Sequence, residues 1–275
     1  LKNILIGQVW LASGQSNMEM SLADVGSEWQ GGDMTYKHQI DSANYPQIRL
    51  FTVKKVTDTK PHEDCVGQWK ICSPQSVKDF SAVAYFFAEK LHKDLDVPIG
   101  IIECCWSGTS AEAWLSKETL KSDPLFQPIL QKLPKLVTEY QELMANRPEK
   151  IKKWKKQVQL AEKHGKTPPP QPKWMPPYPT GCYNAMIKPI TPYTLKGAVW
   201  YQGEGNTWRA YQYRKLFPAM IKNWRKDWNQ HEFYFLFVQL PNFQSHSQIS
   251  QYQSTWAELR EAQLMTLSLK NTAMA

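Results

Sequence analysis

Three short stretches carry residue types suited to acyl transfer. In VWLASGQSNMEM, residues 9–20, the apolar run at 9–12 reads as a short buried strand that stops at small and polar residues. Ser16 then stands where the strand gives way to a loop or to the first turn of a helix. Two roles fit that place: a helix N-cap, or a nucleophile presented at the carboxyl end of a strand beside unpaired backbone N–H groups. ECCWSGTSAEAW, residues 103–114, sets Gly108 in a small-residue turn after a second apolar run. VWYQGEGNTW, residues 199–208, sets Gly203, Glu204, Gly205 and Asn206 after a third. In open parallel sheets ligands sit beyond the carboxyl ends of the strands, so these loops converge by topology. Serine supplies a nucleophile. The Gly108 N–H, the Asn206 amide and the N–H of Ser16 itself can face the negative oxygen of a tetrahedral intermediate.

The neighbouring polar residues have two readings each. Gln15, Gln202 and Glu204 either touch substrate or hydrogen-bond adjoining loops and hold the donors in place, and the second is favoured. Glu112 is balanced between the same two roles. Of Trp10, Trp106, Trp200 and Trp208, which flank the three stretches, Trp106 and Trp208 can stack on a sugar, although core filling is the commoner fate of a tryptophan beside a strand.

The elements that must position these residues follow from periodicity. Strands are expected at 8–13, 48–53, 98–105, 195–201 and 232–239. Helical spacing recurs in FSAVAYFFAEKLHKDL, with Asp79 or Ser81 to cap it, and in YRKLFPAMIKNWRKDW and QSTWAELREAQLMTLSL. Pro218 must fall in a first turn or cause a kink. Alternating strands and helices imply parallel βαβ units and a sheet covered on both faces. Residues 115–180 break the rhythm. There an amphipathic helix through Leu133, Leu136, Tyr140 and Met144 is expected to end at Pro148, followed by a basic helix and the polyproline-like TPPPQPKWMPPYP. This segment reads as an inserted helical hairpin returned by a stiff Pro-rich arm.

Composition excludes several classes. With 275 residues, 42% hydrophobic and 21% charged, the chain has the make-up of a globular domain, and no apolar run is long enough to span a bilayer. Of the net charge of +8, residues 115–180 hold +7, from thirteen Lys/Arg against six Asp/Glu. The lysines lie opposite Ile151, Trp154, Val158 and Ala161, as on a solvated helix face, so a nucleic-acid stripe is disfavoured. Five cysteines form no C-x-x-C pair. Spacing leaves a Cys65–Cys72 bridge open. Both termini read as cut from something longer.

GQSNM, WSGTSAEAW, YNAMIKPI, LKGAVWYQGEGN, the Trp224–Trp228 pair and VQLPNF together resemble the sialate O-acetylesterase family of SGNH (GDSL-type) hydrolases. The resemblance covers nearly the whole chain, insertion included. It implies a three-layer flavodoxin-like α/β fold with a parallel sheet, and removal of acetyl groups from sugars, 9-O-acetylated sialic acid or an acetylated plant polysaccharide, without metal or cofactor. By motif, Ser16 is the nucleophile, with Gly108 and Asn206 as oxyanion donors. Gly205 departs from the family's usual serine, a change expected to affect loop flexibility more than chemistry. An external-glycan substrate implies a place outside the cytoplasm.

A serine nucleophile needs a base, and the family keeps a histidine and an aspartate close together near the end of the domain. Here no histidine has Asp two or three residues before it. His62 and His231 follow Asp58 and Asp227 by four, His92 follows Glu89 by three on a helix where an exposed ion pair is the plain reading, His164 ends the basic helix, and His246 lies in a polar loop. The acid–base pair is therefore expected beyond Ala275, in the continuation of an incomplete single domain. A non-catalytic sugar-binding module is the competing class.

Overall fold

The structure is a computed structural model describing residues 3–25, 36–172, 174–243 and 254–275. Seven strands form one sheet in the order β3-β2-β4-β1-β5-β6-β7: β1 Gln8–Gly14, β2 Tyr45–Thr52, β3 Trp69–Cys72, β4 Ile99–Cys105, β5 Gly197–Tyr201, β6 Tyr234–Phe237 and β7 Thr272–Met274. Every pairing is parallel except β2 with β3. All five expected strands are present. The antiparallel edge strand β3 is not among the expected strands: WKIC is only four residues long, and with Ile71 exposed and Cys72 buried neither of its faces keeps a consistent period-two pattern.

Alternate residues of the central strands feed two cores. On one face Trp10, Ala12, Ile99, Ile101 and Val199 pack under helices α1 (Ser16–Glu19) and α2 (Ala82–Leu95). On the other, Leu11, Ile102, Cys104, Ala198 and Trp200 pack under α4 (Ala210–Asp227) and α5 (Thr255–Met265). The period-two alternation on a sheet buried from both sides makes the three-layer α/β fold. Ser81 caps α2 by accepting the Ala84 N–H at 3.1 Å. Pro218 lies mid-way along α4 rather than in its first turn.

The insertion corrects one expectation. Residues 127–163 form a single helix, α3 (Gln127–Lys163), with Pro134 and Pro148 inside it, not a helical hairpin. A proline removes one backbone hydrogen bond and crowds the carbonyl four residues back. At Pro148 the flanks hold no glycine, Asn146 donates its side-chain amide back to the Glu142 carbonyl at 2.9 Å instead of forming a turn, and the proline itself is exposed. The partner in the hairpin is instead the Pro-rich arm, residues 164–180. Trp154 donates from Nε1 to the Pro169 carbonyl at 2.8 Å, and Tyr140 meets Tyr178 edge-on with centroids 5.4 Å apart.

Candidate active site

β4 and β5 flank β1, all parallel, so the three loops leave one edge of the sheet side by side. Ser16 is the first residue of α1 and is half-buried; the cap position falls on Gln15, and no side chain caps the turn. The strand end is held on both sides by backbone: Trp106 N–H donates to the Gly14 carbonyl at 3.1 Å and Gln15 N–H to the Tyr201 carbonyl at 3.0 Å. Gly108 has φ +74°, a left-handed conformation that a side chain would strain.

Asn206 is 1% exposed and its amide is densely used. Oδ1 accepts from the Ala111 N–H at 2.8 Å and from Gln202 Nε2 at 2.7 Å, while Nδ2 donates to Glu112 Oε2 at 3.0 Å and retains a second N–H. The other Glu112 oxygen pairs with Arg209, both side chains being largely buried. Gln202 also donates to the Thr109 carbonyl at 3.2 Å, and Gln15 Oε1 accepts the Gly205 N–H at 3.1 Å. Glu204 Oε1 accepts from Asn17 Nδ2 at 2.7 Å; its Oε2 is buried without a partner, and burial raises its pKa. Gln15, Glu112, Gln202 and Glu204 thus each join one loop to another. Gly205 sits where two loops nearly touch: a Cβ there would lie 2.8 Å from the Thr109 carbonyl oxygen.

Trp106 is half-buried and packed against the core that holds Trp200, Trp10 lies in the core on the other face of the sheet, and Trp208 is 67% exposed with the Arg209 guanidinium 4.3 Å from its ring centre. Two residues that contact these loops are not singled out by the sequence. Glu19 accepts the Ser107 N–H and pairs with Lys55, tying the Ser16 turn to the Gly108 turn. Its signal was the S-x-x-E spacing of Ser16 and Glu19, which also marks a capping box. Trp174 lies over Gly108, a contact that no spacing announces.

The histidines are distributed as follows. His62 Nε2 meets Asp58 Oδ2 at 2.9 Å in the loop after β2, and this hydrogen bond holds the Asp58 pKa down. The pair is fastened to the 181–184 segment, His62 N–H donating to the Asn184 carbonyl at 2.9 Å. Asp227 accepts from the Tyr183 hydroxyl at 2.6 Å. His92 does not make the expected ion pair: its Nδ1 lies 2.9 Å from the Val97 carbonyl, and Glu89 pairs with Lys93. His164 caps α3 at its C-terminus, and His246 lies outside the described residues. All five cysteines are free, Cys65 and Cys72 included. Among the described residues no group of three or more His, Cys, Asp or Glu could hold a metal ion, and no helix is long and apolar enough to cross a membrane.

A family model described as carbohydrate esterase, sialic acid-specific acetylesterase, matches residues 6–158 and 143–275. Human sialate O-acetylesterase is 29% identical over 237 residues, 83% of this chain and 37% of its own length. The rat enzyme is 30% identical over 260 residues, 88% of this chain and 44% of its own. The chain therefore spans less than half the length of these relatives. The crystal structure of a carbohydrate acetylesterase from Xanthomonas citri superposes with a TM-score of 0.71 at 33% identity, over 98% of this chain and 50% of that one. With both segments of the match covering nearly every residue, the chain belongs to the carbohydrate esterase, sialic acid-specific acetylesterase family.

Proposed function

We propose that this chain carries the nucleophile and the oxyanion donors of an SGNH-type serine esterase that removes O-acetyl groups from sugars, with 9-O-acetylated sialic acid as the foremost substrate. The observation that carries this reading is the fastening of three loops at one sheet edge, with Ser16, Gly108 and Asn206 each on a different loop and Glu19, Gln15, Glu112 and Glu204 holding them together. Ser16 Oγ attacks the acetyl carbonyl carbon. The Ser16 and Gly108 N–H groups and the remaining Asn206 N–H receive the negative charge that develops on the carbonyl oxygen. Collapse of the tetrahedral intermediate releases the sugar hydroxyl and leaves acetyl-Ser16, which water hydrolyses to acetate. The base is a histidine oriented by a carboxylate, following β7, whose carboxyl end opens on the same edge as β1. Acetylated glycans of this kind place the protein outside the cytoplasm.

A second reading has one observation in its favour. The His62–Asp58 pair has the partner arrangement of a base and its orienter, on a loop leaving the same edge. It sits beside β4 rather than beside β1, so a direct reach to Ser16 is the harder geometry.

Acetate release from 9-O-acetyl-N-acetylneuraminic acid and from acetylated xylan decides. It is measured on residues 1–275 and on a chain continued past Ala275 in its parent gene, each with and without Ser16→Ala. The proposal expects activity in the longer chain alone, with Ser16→Ala lowering it by roughly six orders of magnitude. Equal activity in the shorter chain, lost on His62→Ala, transfers the base to His62. Sugar binding without acetate release by either chain marks a non-catalytic module.

A further inference from the structure

The insertion reaches the site through one side chain. The arm, described over 164–172 and 174–180, is rich in proline, which favours stiff, extended chain. It is anchored at both ends, by the Trp154–Pro169 hydrogen bond far along α3 and by the Tyr140–Tyr178 contact and the Thr180 N–H to Glu112 carbonyl bond, 2.8 Å, near the loops. Between these anchors Trp174 meets Gly108. A Cβ built on Gly108 would lie 2.7 Å from both Cη2 and Cζ3, the outer edge of the six-membered ring. The indole thus stands with its edge on the glycine while 40% of the residue stays exposed. A tryptophan that only filled space would be driven to bury its faces. This one is held by a stiff arm, edge-down on a proposed oxyanion donor, with ring surface turned to solvent.

We infer that Trp174 is a substrate-positioning residue: its exposed ring surface forms a wall against which the pyranose of an O-acetylated sugar stacks while the acetyl group enters between Gly108 and Asn206. The inference rests on the esterase reading for the direction of the acetyl group. It makes the insertion a specificity element: the ester chemistry comes from the sheet edge, and the preference for a sugar over another acetyl ester comes from the arm. Aromatic faces suit this task because they offer large, rigid apolar area to the C–H face of a ring whose hydroxyls point outward.

The test uses the Ser16→Ala chain, in which substrate survives, titrated by NMR with 9-O-acetyl-N-acetylneuraminic acid, with acetylated xylobiose and with triacetin, an acetyl ester that has no ring. Trp174→Ala is expected to weaken binding of at least one sugar by about tenfold, Trp174→Phe by no more than about threefold, and neither is expected to change triacetin binding. The sugar that responds more names the substrate class. Unchanged sugar affinity in Trp174→Ala overturns the inference, as does an equal loss for triacetin, which would make the ring a prop for Gly108. No measurable sugar binding before substitution overturns it as well. Failure of the esterase reading is a separate result, since it is read from acetate release in the chain that keeps Ser16.

Discussion

At the scale of single residues, the structural duty of Asn206 and its proposed catalytic one can be separated by measurement. Its Oδ1 satisfies the buried Ala111 N–H and its Nδ2 holds the buried Glu112, so Asn206→Ala leaves both groups without that partner. Leaving such a donor unpaired costs about 1–3 kcal/mol of stability. Removing an oxyanion donor costs about 10²–10³ in kcat with little change in KM. Asn206→Ala in the longer chain is therefore expected to lower both quantities, read by urea denaturation and by initial rates of acetate release. A stability loss with kcat reduced less than about tenfold would leave Asn206 a brace between loops and remove it from the donors. The placement was legible: serine, glycine and asparagine, each after an apolar run, do lie in loops that leave one edge of the sheet. Their fastenings were not. Glu19 to Ser107 and Glu112 to Arg209 span 88 and 97 positions, and nothing local in a sequence ties residues that far apart.

At the scale of elements, β4 carries a carboxyl group into the core. Glu103 is 5% exposed, accepts from the Thr52 hydroxyl at 2.8 Å, and has its pKa pushed from 4.5 up to about 7, chiefly by burial, with Lys55 opposing and Glu19 adding to the rise. The folded chain keeps this proton between about pH 4.5 and 7, where the unfolded chain has lost it. Stability therefore falls as pH rises through that window, by about 3 kcal/mol in all. Glu103→Gln, which preserves the acceptor for Thr52, is expected to match the parent at pH 5 and exceed it by up to about 3 kcal/mol at pH 8 in urea denaturation. A constant difference between the two variants across that range would remove Glu103 as the cause. The elements also mark where sequence reading succeeded and failed. The buried parallel strands declared themselves as apolar runs, because both faces are covered. The edge strand β3 did not, and Pro148 suggested an end where α3 continues. Both misses are solvent-exposed, where water satisfies backbone groups and weakens the rules that burial enforces. Pro148→Ala should restore one helical hydrogen bond and slow amide exchange around residues 144–152, with unchanged exchange in α4.

At the scale of the whole molecule, the charge distribution raises the question of whether the insertion steers an anionic sugar to the site. Sialic acid carries a carboxylate, and the chain is positive by eight charges, most of them in residues 115–180. Helix length and salt screening argue against steering. Tyr140 packs at the base of the arm on Tyr178, and Trp154 lies fourteen residues further along α3. At 1.5 Å per residue that is about 21 Å. Lys152, Lys153, Lys155 and Lys156 cluster around Trp154, on a face exposed to solvent. Screening at physiological salt acts over about 8 Å, so at that separation from the base of the arm their field is largely screened. Replacing all four by glutamine is expected to change kcat/KM for 9-O-acetyl-N-acetylneuraminic acid by less than about twofold at 0.15 M salt, and to leave stability within about 0.5 kcal/mol. The same change should weaken retention on a cation exchanger. A fall in kcat/KM confined to the anionic sugar and erased by added salt would show instead that α3 lies close enough to guide substrate. The insertion would then act through its charge as well as through Trp174, which the structure holds against Gly108.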